Sequence, residues 1–369
     1  MNQLFRWDQM GLFLLALAAG ILPFAVPEVC AAALREGLTL CSGPLLLSLF
    51  PFLVVSRLLI QCPESDLLAL PFRLAAWGIG IRTPCAARVL CVGFLGGFAP
   101  AASAAAQAVR TGQLTAEEAD ALLPACICSG PSFVVLTVGQ SLLGSAELGV
   151  LLFASQITAN YLTAALLNRF AGVHSVKPGS ATPASPAPPR LDEILADAAI
   201  TYCKLCGFIL FFRMLAAGAG ALLPAGAGTL CSILLEVCSG CDLASRTGRW
   251  GSLFCCAALS VQGLSVLLQV RTICPPEMTL RPLYRSRLLH LPLSLALFYL
   301  LLPGGEADVF STLPARVLLM RRVPLDCALL VFAVCCMAAC TLRGGIRQVE
   351  QKQMARNAGG CCINSKTLL

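Results

Sequence analysis

Along the chain, apolar runs alternate with short polar or Pro/Gly-rich stretches. A helix needs roughly 20 apolar residues to cross a bilayer. Runs of that order, or somewhat shorter, lie at 10–26, 35–60, 88–109, 146–170, 195–223, 252–270, 288–302 and 325–342. The 35–60 run predicts one long helix interrupted at Cys-Ser-Gly-Pro (41–44) and at Pro51. The 63–80 stretch mixes Glu64, Asp66 and Arg73 with apolar residues and predicts an interfacial amphipathic helix. The 228–240 run is only half a span long. Thr115 followed by Glu118 makes a Thr-x-x-Glu capping box, which opens a short amphipathic helix. Ten-residue segments of alternating polarity, the mark of a membrane β-barrel, are absent.

The fold class that follows is an all-α polytopic membrane protein. The Pro/Ser/Ala-rich segment 173–190 has no apolar period and predicts a flexible linker. It divides a first membrane half (1–172) from a second (191–345), with a basic tail (346–369) beyond.

Composition strengthens this reading. Of the 369 residues 57% are hydrophobic and 12% charged, against about a quarter charged in soluble domains. The 10–26 run after Arg6 has the look of a signal peptide, with Ala31–Ala33 as a cleavage region, but is read as an uncleaved first helix. The net charge of +7 fits basic cytoplasmic loops. Arg347, Lys352, Arg356 and Lys366 against Glu350 place the tail in the cytoplasm. No basic face interleaved with aromatics points to nucleic acid. The 21 cysteines lie mostly in apolar runs, where Cys acts as a small hydrophobe. Cys203/Cys206 and Cys238/Cys241 make two CxxC spacings, one inside an apolar helix and one at a break, so neither reads as a metal site. Cys361-Cys362 reads as plain tail, with lipidation the alternative. No cofactor is implied.

The stretch "CSGPSFVVLTVGQ" (128–140) carries Ser129-Gly130-Pro131 inside an apolar region. Such a triplet breaks a helix. Backbone N–H and C=O groups freed at membrane depth must face protein, water or a ligand. Half-helix N-termini favour anions. The alternative is a proline-kinked packing helix.

The two halves resemble each other. Residues 47–59 match 205–217, which brings Arg57 within two positions of Arg213; 95–106 parallel 234–245; and 126–139 parallel 256–269. Gly97 to Ser129 exceeds Gly240 to Ser260, and an inserted helical hairpin around the capping box accounts for the difference. Gly/Pro-interrupted apolar segments at corresponding places in two halves point to a transporter site.

The segment 96–139 resembles the nucleoside-recognition, or gate, domain, and is most similar to the YlbJ-type sporulation integral membrane proteins of endospore-forming bacteria. Carrying the resemblance are Gly97 and Pro100, Gly112 to Ala119, Ser129 to Phe133 and Val138-Gly139, then Leu235, Glu236 and Gly240, and Leu259, Ser260, Gly263, Leu264 and Gln269. It spans roughly residues 10 to 345. It implies two gate-domain repeats in inverted orientation with re-entrant, broken helices, as in concentrative nucleoside transporters. It also implies export of dipicolinic acid from the mother cell across the outer forespore membrane. The chain departs from the family at Ile127, Cys128, Gln262 and Leu267, which alters the polar lining.

Candidate ligand-binding residues are Ser129, Gly130, Pro131, Ser132, Gly97 and Gly240 at the breaks, and Glu236, Arg213, Arg57, Gln262 and Gln269 as polar groups in apolar runs. Glu236 is an ionisable group at membrane depth and a functional candidate by default. The alternative pairs it with Arg213 or Lys204. The planar guanidinium forks of Arg57 and Arg213 suit a carboxylate. Gln140, Ser103, Gln107 and Asn160 line a path or join helices. His174 and His290 read as segment-end residues, and Glu117, Glu118 and Asp120 as a solvated helix face.

The expected function is secondary transport of a small organic anion, with the lipid bilayer as the second partner and a homo-oligomer allowed. The alternatives are a nucleoside-like solute transporter and a non-transporting gate-domain protein needed for spore assembly. An intramembrane enzyme is disfavoured: no HExxH, GxSxG or paired intramembrane Asp is present.

Overall fold

The computed structural model describes residues 2–171 and 191–302. Every regular element among them is helical. The first half holds α1 (Asn2–Ala25), α2 (Pro27–Ser42), α3 (Pro44–Gln61), α4 (Leu70–Gly78), α5 (Pro84–Gly96), α6 (Phe98–Arg110), α7 (Ala116–Cys126), a π-helix (Ser132–Leu142) and α8 (Ala146–Ala171). The second holds α9 (Leu191–Leu222), α10 (Ala225–Leu235), α11 (Val237–Ser245), α12 (Gly251–Val261), α13 (Gly263–Ile273) and α14 (Arg281–Leu301). Four stretches are long and apolar enough to cross a membrane: Pro27–Leu47, Ala146–Ala171, Leu191–Leu222 and Gly248–Ile273. The chain is an α-helical membrane protein. The 173–190 linker, the 325–342 run, the basic tail and Cys361-Cys362 lie outside the described residues.

Polarity is arranged inside out, as lipid demands. Phe13, Phe24, Leu74, Phe170, Leu288 and Leu300 are exposed, while Gln156, Asn160, Ser260, His290 and Ser294 are buried. The α6 and α7 helices are covered on nearly every side, and the runs of alanine in α6 let neighbours approach closely. Around them α2 packs on α9, α14 on α8, and α3 on α5 and α6.

Two helix breaks occur in each half. In the first, α5 and α6 part at Gly97 (φ 80, ψ −164), and α7 is separated from the π-helix by extended residues from Ile127 (φ −82, ψ 96). In the second, α10 and α11 part at Glu236 (φ −150, ψ 124), and α12 and α13 at Gln262 (φ 63), followed by Gly263 (φ 68). The two breaks of each half touch. A Cβ on Gly97 would sit 2.7 Å from the Gly130 nitrogen, and one on Gly263 would sit 2.9 Å from the Glu236 nitrogen. Glycine is required at both, since φ is positive and the space is filled by backbone.

Several sequence expectations change. The 88–109 run is two half-length helices parted at Gly97, and the 252–270 run lies within a stretch long enough to cross a membrane but changes helix at Gln262. The helix after the capping box, α7, has the same 11 residues as α12, and α6 has 13 where α11 has 9; measured from the breaks at Gly97 and Glu236, the second of which stands four residues before Gly240, the two halves differ by less than the Gly97–Ser129 and Gly240–Ser260 spacings suggest. The 35–60 region breaks at Gly43 but runs through Pro51. The 63–80 stretch is a 3-10 turn (Pro63–Asp66) followed by the nine-residue α4, not one amphipathic helix. The last described helix begins at Arg281, seven residues before the predicted start at 288.

That early start has a tertiary cause. Asp120 on α7 accepts hydrogen bonds from the Thr279 nitrogen (2.8 Å), the Thr279 hydroxyl (2.6 Å) and the Leu280 nitrogen (3.1 Å) just ahead of α14. Pro282 completes the start. The predicted capping box forms: the Glu118 nitrogen donates to Thr115 Oγ1 at 3.1 Å, and the Thr115 nitrogen to Glu118 Oε2 at 3.1 Å. Neither Glu118 nor Asp120 is solvated; each is 6% exposed.

The π-helix packs against α8 through glycine. A Cβ on Gly139 would fall 2.4 Å from the Gly149 Cα, and one on Gly149 would fall 2.7 Å from the Val135 Cα. The backbones cross with no side chain between them, as at small-residue contacts in membranes. Pro131 sits at the start of this helix with φ −60 and ψ −38.

Candidate functional site

The candidate residues fall into two groups. The first surrounds a cavity of about 140 Å³ where α3, α6, α9 and α13 meet. Its lining includes Arg57, Ser103, Arg110, Asp197, Lys204 and Gln269. At roughly 10–15 Å³ per water position, it has room for a small organic molecule. Three cations face one carboxylate, so the lining carries an excess of two positive charges.

Arg57 is 6% exposed and held on three sides. Its Nη1 donates to the Asp197 carboxylate, its Nε to Ser103 Oγ (3.3 Å) and its Nη2 to Thr201 Oγ1 (3.3 Å). Asp197 is a weak anchor for that charge, because its side chain is 60% exposed to competing solvent. Gln269 is buried at 3% exposure; its Nε2 donates to Ser265 Oγ at 2.9 Å, and its Oε1 has no partner. A half-turn of the amide would keep the Ser265 contact with the hydroxyl as donor, and would offer an N–H to the cavity.

The second group lies at the breaks. Glu236 is 3% exposed and caps α11, its two carboxylate oxygens accepting from the Cys238 nitrogen (2.9 Å) and the Ser239 nitrogen (2.7 Å). Its extended backbone is the usual N-cap conformation. The predicted pairing of Glu236 with Arg213 or Lys204 is not formed. Arg213 instead meets Glu36 on α2 at 2.7 Å, and Lys204 lines the cavity. Arg57 and Arg213 therefore stand in different surroundings. The α11 N-terminus is filled by the protein's own carboxylate. Gly240 serves packing, since a Cβ there would lie 2.8 Å from the Ile233 Cα.

Gly130 and the Cys128 carbonyl stand against the Gly96-Gly97 turn, Ser129 between them is buried, and Pro131 and Ser132 open the π-helix. Gln262 reaches across the halves: its Nε2 donates to the Ile127 carbonyl at 3.4 Å, which also accepts from Asn160 Nδ2 at 3.4 Å. The Gln262 Oε1 is buried without a partner.

Sequence reasoning missed Arg287. It is 8% exposed inside α14. It donates to Asn160 Oδ1 (3.2 Å), the Ser260 carbonyl (3.4 Å) and Ser286 Oγ (3.3 Å). Gln156 and His290 extend the network, Gln156 Nε2 donating to Ser260 Oγ (2.9 Å) and His290 Nε2 lying 3.2 Å from the Gln156 carbonyl. The available signal was spacing: Arg287, His290 and Ser294 recur at i, i+3, i+7 and so share one helix face.

No family model, no curated protein and no solved structure matches this chain.

Proposed function

We propose that this protein is a secondary transporter of a small organic anion, with the cavity around Arg57 as its binding station. The observation that carries the reading is the charge of that cavity: Arg57, Arg110 and Lys204 against Asp197 alone. An anion entering it replaces the solvated Asp197 as partner of a guanidinium already held by Ser103 and Thr201. A fork oriented in advance loses less entropy on binding a carboxylate than a free side chain does.

Dipicolinate is the first substrate to test. It is a planar dianion, which matches the excess of two positive charges, and the resemblance of 96–139 to the YlbJ-type proteins points the same way. On that reading the protein moves dipicolinate from the mother cell across the outer forespore membrane. The paired breaks supply mobile half-helices, which a site in a bundle needs in order to open alternately to two sides.

The test is uptake of labelled dipicolinate into proteoliposomes by wild type and by Arg57→Gln, with folding of both checked by thermal unfolding. Saturable uptake that is lost in the folded variant supports the proposal. Absence of uptake by folded wild type overturns it.

A further inference from the structure

Among the described residues, Arg287 is a buried cation without a counter-charge. Its three hydrogen-bond acceptors, Asn160 Oδ1, the Ser260 carbonyl and Ser286 Oγ, are all neutral. The ionisable side chains that face it are Cys128 and His290, neither of them a carboxylate. A guanidinium carries more N–H groups than the three used here. A buried charge without a paired counter-charge is among the costliest arrangements a protein can hold.

The same network contains further unmet groups. His290 Nδ1, Gln262 Oε1 and Thr163 Oγ1 are all buried and without partners. His290 lies one turn along α14 from Arg287, and Thr163 one turn along α8 from Asn160. Gln262 shares the Ile127 carbonyl with Asn160. Buried polar groups are nearly always satisfied. The Thr163 hydroxyl and the spare guanidinium N–H groups are donors beside that cation and mark a place where something polar and negative belongs, whereas Gln262 Oε1 and His290 Nδ1, on a ring whose Nε2 lies against the Gln156 carbonyl, are acceptors that call for a donor.

We infer that Arg287, with Asn160 and Ser260 around it, forms an occluded site for one singly charged small anion, separate from the cavity at Arg57. The shared ligand chemistry is a compact monovalent anion: a halide, or a single carboxylate group. The site supplies fixed positive charge where the breaks of the two halves meet. Its occupant removes the electrostatic cost of Arg287 and ties α14 to α8 and α12. The inference does not depend on transport through the outer cavity.

The experiment measures thermal unfolding of the purified full-length protein in detergent at constant ionic strength. Chloride, bromide and acetate are each titrated against bulky gluconate. Wild type should show a saturable rise, about 5 °C at roughly a hundredfold the half-saturating concentration. Arg287→Gln should lose the response, and Arg57→Gln should keep it. Asn160→Asp is isosteric and gives Arg287 a built-in counter-anion, at the loss of the long Asn160 Nδ2 donation to the Ile127 carbonyl (3.4 Å); it should respond to none of the anions. That variant also decides the matter if Arg287→Gln does not fold. A halide response without an acetate response assigns the site to a free inorganic anion; a response to both assigns it to any compact monovalent group, a substrate carboxylate included. No anion dependence in wild type, a response lost with Arg57 rather than Arg287, or a full response in Asn160→Asp overturns the inference. Dipicolinate uptake without an anion response would leave the transport proposal standing alone, and an anion response without uptake the reverse.

Discussion

Replacing Glu236 separates two roles that its position suggests. The carboxylate is 3% exposed and accepts two backbone hydrogen bonds, at 2.9 and 2.7 Å, from the first turn of α11. Glu236→Gln keeps one acceptor oxygen, turns an amide N–H toward a backbone N–H, and removes the negative charge from the positive end of the helix. Loss of one charge-assisted hydrogen bond costs about 1.5–3 kcal/mol. Loss of the charge–dipole contact costs about 0.5–2 kcal/mol more. The sum is roughly 2–5 kcal/mol, which for a domain of this size lowers the unfolding temperature by about 5 °C or more. Glu236→Asp, whose shorter carboxylate is itself a preferred cap, should stay within about 1 kcal/mol of wild type. The assay is thermal unfolding in detergent, followed by tryptophan fluorescence, run alongside proteoliposome uptake. If Glu236→Gln unfolds at the wild-type temperature yet abolishes uptake, the capping account is wrong and Glu236 handles ligand or proton directly.

Three further perturbations bear on the fold and the cavity. Gly97→Ala places a Cβ 2.7 Å from the Gly130 nitrogen at φ 80, and should cost about 3 kcal/mol or more, read as a lower unfolding temperature or loss of monodisperse protein. Asp120→Ala leaves the Thr279 and Leu280 nitrogens without their acceptor and should cost about 2–3 kcal/mol, with faster hydrogen exchange confined to the first turn of α14. Gln269→Met removes a buried acceptor that has no partner. It should leave the unfolding temperature equal or higher while raising the half-saturating dipicolinate concentration by about tenfold, the weight of roughly one hydrogen bond.

The amino-acid sequence by itself determined the solvent, the elements and the kinds of break. Long apolar runs require lipid, because backbone groups there can be satisfied only within helices. Thr115 and Glu118 announce a cap because both partners lie within one turn. Gly97 and Ser129-Gly130-Pro131 announce interruptions because these residues disrupt helices wherever they stand. The break at Gln262 was illegible, since Gln can continue a helix and only the fit of Gly263 against Glu236 holds the φ of 63 in place. Tertiary structure alone decided the partners of the charges. It gave Glu236 to its own helix, Arg213 to Glu36, Arg57 to a cavity with Lys204 and Gln269, and Arg287 to neutral acceptors on α8, α12 and α14. Which charge meets which depends on helix rotation and crossing at sequence separations such as the 127 residues between Asn160 and Arg287. A local pattern carries no record of that, because both side chains would look the same in a helix facing the other way.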